Sequence, residues 1–252
     1  MRFSVIIPSY NQAQFIEATL QNLVALKKTA IDNGHEIELI LCDNESDKNV
    51  QTIIKRYQKQ IDVLKIEKDK GQYDAINKGL HYVTGQYWTW LNTDDLIDDN
   101  GFLEIINYLK NHQPDYIYGN IETIDAQGNP LGKGSSGYIT LQSLTSKDAS
   151  ISQPGSFFKT TFTHKIGILK PYQFAFDYEY VLRILKNNGS VAMVNCVVAQ
   201  FRYYQQSKSG SRDARFLMEQ LEIAKLYGCT FFSKLSLMLQ LRILKRQLFK
   251  KS

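Results

Sequence analysis

Four short apolar runs, each followed by a helix-like pattern, fill the first 110 residues, and this alternation constrains the fold more than any other feature of the chain. Residues 3–7, 36–42, 63–66 and 87–91 read as strands; helices are expected over about 14–26, 50–59, 73–83 and 102–110. Phe15, Leu20, Leu23 and Leu26 give the first helix a broadly helical apolar spacing, Pro8 with Ser9-Tyr10-Asn11 closes the first strand, and Lys70-Gly71 opens the turn into the third helix. Strands regularly separated by helices predict an α/β fold with a mostly parallel central sheet covered on both faces.

The second half changes character. Residues 116–119 read as a strand, 121–131 as a hairpin around Gln127-Gly128-Asn129, and 132–137 as a Gly/Ser-rich loop, either a lid or a linker. Phe157-Phe158 and residues 191–201 suggest further strands, with a helix over 178–186. From about residue 212 the chain reads helical nearly to its end. The expected organisation is one domain over 1–210, in halves of 1–98 and 99–210, followed by a helical extension over 211–252.

At 252 residues and 43% hydrophobic content the chain can bury a substantial core. Its net charge of +5 leaves anionic substrates and anionic membranes open. The basic residues form no continuous stripe and the best-placed side chains are acidic, which argues against nucleic acid. Three widely spaced cysteines (Cys42, Cys196 and Cys229) have no metal-binding spacing and favour a reducing compartment over a disulfide scaffold. The start runs straight into the first strand with no room for a signal peptide, and no run is long enough to span a bilayer. A cytoplasmic location is expected.

Trp90-Leu91-Asn92-Thr93-Asp94-Asp95 carries the strongest chemical signal. Adjacent carboxylates after a buried strand are costly as packing, and they repel each other unless a cation neutralises them. Substrates in parallel α/β folds sit at the carboxyl ends of strands, and hard divalent cations with oxygen ligands can grip a diphosphate there. Capping of the next helix is the plainer reading, with Asp98 and Asp99 extending the acidic turn. The chain has no Gly-rich Lys-Ser/Thr phosphate loop. Asp43, at the end of the second strand, suits a base N–H or a ribose hydroxyl; Asp47 reads equally as a helix cap. Asp177 and Glu179 open a helix in aromatic surroundings, as dipole-favouring carboxylates or as a general base. Arg202, Lys208 and Arg212 form either a clamp on a leaving diphosphate or a solvated face.

Taken together, these stretches resemble the family 2 glycosyltransferases with the GT-A fold. The resemblance rests on Ser4 to Asn11, Asp43 with Ser46-Asp47, Lys70 to Gly79, Trp90 to Asp95, and Phe176-Asp177-Tyr178-Glu179 with Arg183, in the family's order over about residues 3–210. The nearest flavour is that of bacterial polysaccharide enzymes, including those of colanic acid-like exopolysaccharide. The resemblance implies that Pro8, Tyr10 and Asp43 hold the nucleotide and that Gly71, Gln72, Asp74 and Asn77 line the donor pocket. The family's DxD motif, which holds Mg²⁺ or Mn²⁺ on the donor diphosphate, falls on Asn92-Thr93-Asp94 with Asp95 adjacent, so either aspartate can be the metal ligand. The catalytic base falls on Asp177. Relatives often carry a His before Ser-x-Ser near the end of this domain, where this chain has Tyr204, and Lys208 is the candidate to replace its contacts.

The implied reaction is inverting transfer of a single sugar from a nucleotide-diphosphate sugar, expected to be a UDP-sugar, to a glycan or lipid-linked acceptor. The absence of a QxxRW motif favours one sugar per acceptor. A non-catalytic sugar-nucleotide-binding or assembly protein of the same fold is the alternative, with Asn92 and Tyr204 in its favour. Residues 231–251 mix bulky apolar side chains with Lys234, Arg242, Lys245 and Arg246. Such a segment can lie on an anionic membrane surface as a peripheral anchor, pack on the core, or join a second subunit in a homo-oligomer.

Overall fold

The computed structural model describes residues 1–134, 137–147, 151, 153–205 and 214–249. Lys208 and Arg212 therefore lie outside the described residues, as does part of the Gly/Ser-rich loop.

The first half alternates as the sequence predicts. β1 (Arg2–Ser9), β2 (Glu36–Asp43), β3 (Val63–Ile66) and β4 (Tyr87–Trp90) are separated by α1 (Ile16–Asp32), α2 (Lys48–Tyr57) and α3 (Gln72–Leu80). Their spatial order is β3-β2-β1-β4, all parallel. The chain moves outward from β1 through β2 to β3, then returns to β1's other side as β4. This reversal opens a crevice beyond the carboxyl ends of β1 and β4, the place where open α/β sheets receive ligands. β1 runs through Pro8 rather than closing at it. Its pairing with β4 stops at Ile6–Trp90 while its pairing with β2 continues to Ser9–Asp43, so the proline falls where one side of the strand is already unpaired. Gly79 of α3 allows the close approach of that helix to β1: a Cβ there would come within 2.5 Å of the Ile6 side chain.

The second half is mixed. A two-residue β5 (Leu96–Ile97) and α4 (Asp99–Leu109) lead to β6 (Tyr116–Ile124), and β7 (Pro130–Gly134) folds back on β6 as the expected hairpin. Asp125 fixes its turn by accepting from the Gln127 and Asn129 backbone N–H groups. Then come α5 (Leu141–Ser146), β8 (Ser156–Lys159), α6 (Thr160–Ile166), α7 (Phe176–Lys186) and β9 (Val191–Arg202). The sheet continues from β4 as β8-β6-β9-β5, with only β6–β9 parallel in this part. Two apolar clusters cover its faces. Phe3, Val5 and Ile7 point to one and Ile6 to the other, the alternation of a strand buried on both sides.

The C-terminal segment is two helices rather than one, α8 (Ala214–Leu226) and α9 (Lys234–Phe249). Gly228, at φ +103°, ends the first, because a left-handed residue breaks the helical hydrogen-bond run. Leu235, Ser236 and Leu239 of α9 are buried, whereas Leu237, Leu241 and Leu244 are exposed. Packing on the core thus accounts for one face of α9 and leaves a second apolar face outward. Among the described residues no helix is long and apolar enough to cross a membrane.

Candidate active site

The carboxyl ends of all four parallel strands meet at a cleft of about 480 Å³. The end of β1 and the turn after it contribute Pro8, Ser9 and Tyr10; the turn after β2, Asn44; the segment after β3, Asp69, Gly71 and Gln72; the turn after β4, Asn92, Thr93 and Asp94. Tyr10 is more than half exposed at the rim. Gly71 precedes α3 at φ +127°, and its N–H donates to Asp69 (2.8 Å), so the loop turns sharply enough to present the start of α3 to the cleft. Burial raises the Asp69 carboxyl above its usual range.

The acidic run divides into separate jobs. Asp98 caps α4 through the Gly101 N–H (2.8 Å), and Asp99 accepts from the Thr29 hydroxyl (3.1 Å). Asp95 is fully buried, accepting from the Arg202 backbone N–H (2.9 Å) and the Asn92 amide (3.2 Å). Burial, and after it the neighbouring Asp94 charge, push its carboxyl well above the ordinary range. Asp94 alone of the four lines the cleft, and its carboxylate accepts from the Tyr204 hydroxyl at 2.8 Å. The turn is clamped from outside: the Thr19 hydroxyl lies 2.9 Å from the Thr93 and Asp95 carbonyls, and the Arg202 guanidinium donates to the Asp94 carbonyl at 2.8 Å. Arg202 is almost wholly buried and also donates to the Asp125 and Ala126 carbonyls, so it belongs to the cleft wall and not to a solvated face.

Other sequence candidates are placed behind the cleft wall. The Asp43 carboxylate is buried and accepts four hydrogen bonds, from the Ser9 and Ser46 hydroxyls, the Ser46 N–H and the Gln51 amide (2.6–2.8 Å). Those bonds occupy the acceptor sites with which it was expected to meet a nucleoside, and Asn44 beside it faces the cleft instead. Asp47 caps α2. Asp74 accepts from the Lys70 N–H (3.0 Å), and Asn77 pairs with both backbone groups of Leu169 (2.8 and 2.9 Å), tying α3 to the chain ahead of α7.

Asp177 sits in the first turn of α7 and lines a second cavity of about 300 Å³. The two cavities share Gln72, Asn92, Phe174 and Phe201, and the Gln72 amide donates to the Asn92 carboxamide at their junction. Glu179 is fully buried in ion pairs with Lys170 and Arg183 (both 2.9 Å) and accepts from the Tyr227 hydroxyl (2.6 Å). Of the two carboxylates in that helix, one faces a cavity and one binds the fold together.

Sequence reading missed Glu219 of α8. Its carboxylate accepts from three successive backbone N–H groups, Gln173 (2.9 Å), Phe174 (2.6 Å) and Ala175 (2.7 Å), immediately before α7. Ala175 is the N-cap residue of α7 and the other two groups lie just ahead of it, so a side chain from another helix holds the loop that walls both cavities. Nothing in the local pattern of α8 marks Glu219; only the fold brings it there. Asn44 and Asp69, by contrast, adjoin motifs already singled out and were open to discovery from position.

A cleft at the switch point of a parallel sheet, with an aspartate facing it, adjoins an aromatic cavity around a second aspartate, an arrangement with room for two substrates side by side. The chain belongs to glycosyl transferase family 2, whose family model matches residues 4–172. It is 28% identical over 216 residues to the Escherichia coli UDP-Glc:alpha-D-GlcNAc-diphosphoundecaprenol beta-1,3-glucosyltransferase WfgD, covering 83% of this chain and 80% of that protein. Similarity to the Staphylococcus aureus poly(ribitol-phosphate) beta-N-acetylglucosaminyltransferase TarP is 27% over 121 residues, 47% of this chain and 36% of the relative. Among solved structures, S. aureus TarS residues 1–349 in complex with UDP-GlcNAc aligns with a TM-score of 0.67 at 16% identity, covering 96% of this chain and 70% of that one. The Pyrobaculum calidifontis mannosyltransferase PcManGT, in complex with GDP-Man and Mn²⁺, aligns at 0.65 and 17%, covering 89% and 64%. The expected GT-A architecture is thereby found; the relatives include makers of teichoic acids and lipid-diphosphate-linked glycans and do not single out the colanic acid type.

Proposed function

We propose that the protein transfers one sugar from a nucleotide-diphosphate sugar to a hydroxyl of a glycan or lipid-linked acceptor during assembly of a bacterial surface polymer, with inversion at the anomeric carbon. The observation that carries this reading is the junction of the two cavities: Asp94 faces one, Asp177 faces the other, and Gln72 and Asn92 belong to both. The larger cleft takes the donor. Pro8, Tyr10 and Asn44 lie on the nucleoside side, and Asp94 lies where the diphosphate meets the sugar. The acceptor hydroxyl enters from the smaller cavity. Asp177 takes its proton as the new C1–O bond forms, and the C1–O bond to phosphate breaks with its electron pair leaving on the nucleoside diphosphate. A UDP-sugar is the favoured donor, in line with UDP-Glc as the donor of WfgD and UDP-GlcNAc as the ligand of TarS.

The oxygen donors at the cleft fit a hard cation. Among the described residues no three His, Cys, Asp or Glu side chains cluster into a metal cage. Asp69 and Asp94 both line the cleft, and a single carboxylate at the diphosphate position is nevertheless the donor expected for Mg²⁺ or Mn²⁺ held jointly with substrate phosphates. Asp94 would be that ligand, and the cation would offset charge on the departing diphosphate. Asp95 is engaged in holding the Asn92 amide and the end of β9. Tyr204 supplies a hydrogen bond to Asp94 from the position where relatives often have histidine.

Calorimetric titration of UDP, GDP and dTDP, with and without Mn²⁺, tests the donor site. Metal-dependent binding of one nucleotide, lost in Asp94→Asn, is expected; a folded protein that binds none of them refutes the reading in favour of an assembly role.

The outward face of α9 supports peripheral attachment to an anionic membrane. Leu237, Leu241 and Leu244 form an exposed ridge, Phe231 and Phe232 are exposed at its foot, and Lys234 and Lys245 lie on the same helix. Co-sedimentation with vesicles containing phosphatidylglycerol is expected, and is expected to fail with zwitterionic vesicles or after Phe232→Ser with Leu241→Gln.

A further inference from the structure

Between α6 and α7 the chain passes along the wall of the donor cleft as irregular backbone, and most of that stretch is tied down from outside. The Arg183 guanidinium donates to the carbonyls of Ile166, at the end of α6, and Ile168 (both 2.8 Å), while Asn77 pairs with both backbone groups of Leu169. Lys170 is ion-paired to the buried Glu179 (2.9 Å), and Glu219 takes the N–H groups of residues 173–175. The Arg215 guanidinium lies over the Phe174 ring, 5.5 Å from its centre. α8, which supplies Glu219 and Arg215, also lines the smaller cavity with Phe216 and Gln220, so this loop and that helix form one wall. A connecting loop is ordinarily among the more mobile parts of a fold; one held at so many points is a fixed surface.

Gln173 and Phe174 are the loop's contributions to the cleft. Among the described residues the carboxamide of Gln173 has no hydrogen-bond partner, although the backbone N–H beneath it is fixed on Glu219. It lies beside the turn into α3: a Cβ on Gly71 would stand 3.0 Å from Gln173 Oε1, so the glycine that φ +127° requires also leaves the space this amide occupies. Gln72, next to Gly71, and Phe174, next to Gln173, line both cavities. Gln173 therefore stands at the end of the cleft that adjoins the acceptor cavity, where the donor orientation proposed above puts the sugar. A carboxamide both donates and accepts, as a ring hydroxyl does, and here its reach is set by a backbone that does not give. A sugar whose hydroxyl points elsewhere forgoes that bond, which is how a polar group in a site discriminates between epimers.

We propose that Gln173 reads the donor sugar, its carboxamide bonding a ring hydroxyl and so setting which sugar the enzyme accepts. This rests on the glycosyl-transfer reading and narrows it, separating recognition of the sugar from recognition of the nucleotide.

The test is calorimetric titration of the full-length protein, in Mn²⁺ and without acceptor, with UDP, UDP-glucose, UDP-galactose, UDP-N-acetylglucosamine and UDP-xylose. The wild type is expected to separate the best of the four sugars from the worst by about tenfold, the scale of one hydrogen bond made or missed. Gln173→Ala is expected to bring that spread within about threefold while UDP affinity stays within about twofold. Glu219→Ala, which frees the backbone of the loop, is the contrasting variant, expected to weaken UDP and the UDP-sugars together. A wild type that binds the four sugars alike, a spread that survives in Gln173→Ala, or a Gln173→Ala protein whose UDP affinity falls in step with that of the UDP-sugars would each overturn the proposal. A folded wild type that binds neither UDP nor any UDP-sugar would instead sink the glycosyl-transfer reading beneath it.

Discussion

The donor cleft and the cavity around Asp177 touch along Gln72 and Asn92, yet they are assembled in different ways. The cleft is made mostly from the ends of four consecutive parallel strands, so each wall residue sits a few positions beyond an apolar run. Its polar groups are held by neighbours in the same layer: Thr19 clamps the acidic turn, and Asp69 receives the Gly71 N–H. The second cavity collects a strand end (Trp90), a hairpin strand (Ile121), Ile151 with Gln153 and Pro154, the start of α7, the end of β9 and one face of α8. Its critical brace, Glu219, reaches across 44 to 46 positions of sequence. One region is therefore built from strand ends common to such sheets, and the other from elements that can vary independently.

The largest effect is expected in the second cavity, at the carboxylate to which the proposed mechanism gives the acceptor's proton. Asp177→Asn removes the proton acceptor while keeping size and most packing. Transfer rate is expected to fall on the order of 10²–10⁴-fold, the usual contribution of a general base, with UDP affinity preserved. Rates within a few-fold of wild type would break the assignment and move the base to another group. Next in size is Asp94→Asn, expected to weaken Mn²⁺-dependent UDP binding by on the order of 10- to 100-fold, the range for lost metal-site partners. The same substitution at Asp95 removes a buried acceptor and should register as lost thermal stability before it registers in metal dependence. The two variants side by side sharpen the contrast between an aspartate facing the cleft and one built into its foundation.

The difference in construction also explains what the sequence could tell. Strand ends, the Gly71 turn and the acidic run are local patterns, and apolar alternation with a glycine or a carboxylate at its end is legible without the fold. Which of Asp94 and Asp95 faces outward was not, because it depends on Arg202 arriving from β9, 107 positions on, to bind Asp95. Asp43 stood in the expected place but turned inward, since Ser9, Ser46 and Gln51 converge on it once β1, β2 and α2 are packed. The helices α5 and α6 escaped notice because they are six and seven residues long, too short for an apolar period to declare itself. Glu219, Phe216 and Gln220 looked like surface residues of an appendage.

Glu219 gives the third test, one of architecture. Glu219→Ala leaves three backbone N–H groups without their carboxylate, and the expected loss is about 1–3 kcal/mol, read from the midpoint of urea unfolding at constant m. Because the freed loop walls both cavities, UDP affinity and transfer rate should decline together. The helix cap Asp47 is the control: Asp47→Ala should cost about 1 kcal/mol and spare the chemistry. A Glu219→Ala protein with normal stability and kinetics would mean that the two cavities do not depend on α8.

The smallest expected effect falls on Tyr204, at the position where the family resemblance leads to the expectation of a histidine. Its hydroxyl donates to Asp94 (2.8 Å), receives the Gln12 amide (3.3 Å), and its ring rests 4.9 Å from that of Phe15. Burial, and then the Asp94 charge, raise its phenol above the usual range, so it stays protonated and remains a donor across the working pH range. A neutral donor on the carboxylate proposed to hold the metal orients that carboxylate without adding charge, a weaker role than a direct contact to the diphosphate. Tyr204→Phe keeps the ring packing and removes one hydrogen bond worth about 0.5–1.5 kcal/mol, so Mn²⁺-dependent UDP binding should weaken by no more than about tenfold. Tyr204→His separates the two roles: an imidazole that restores or exceeds wild-type Mn²⁺ affinity would show that the position reaches the metal and its diphosphate, whereas one that matches Tyr204→Phe would confine it to steadying Asp94.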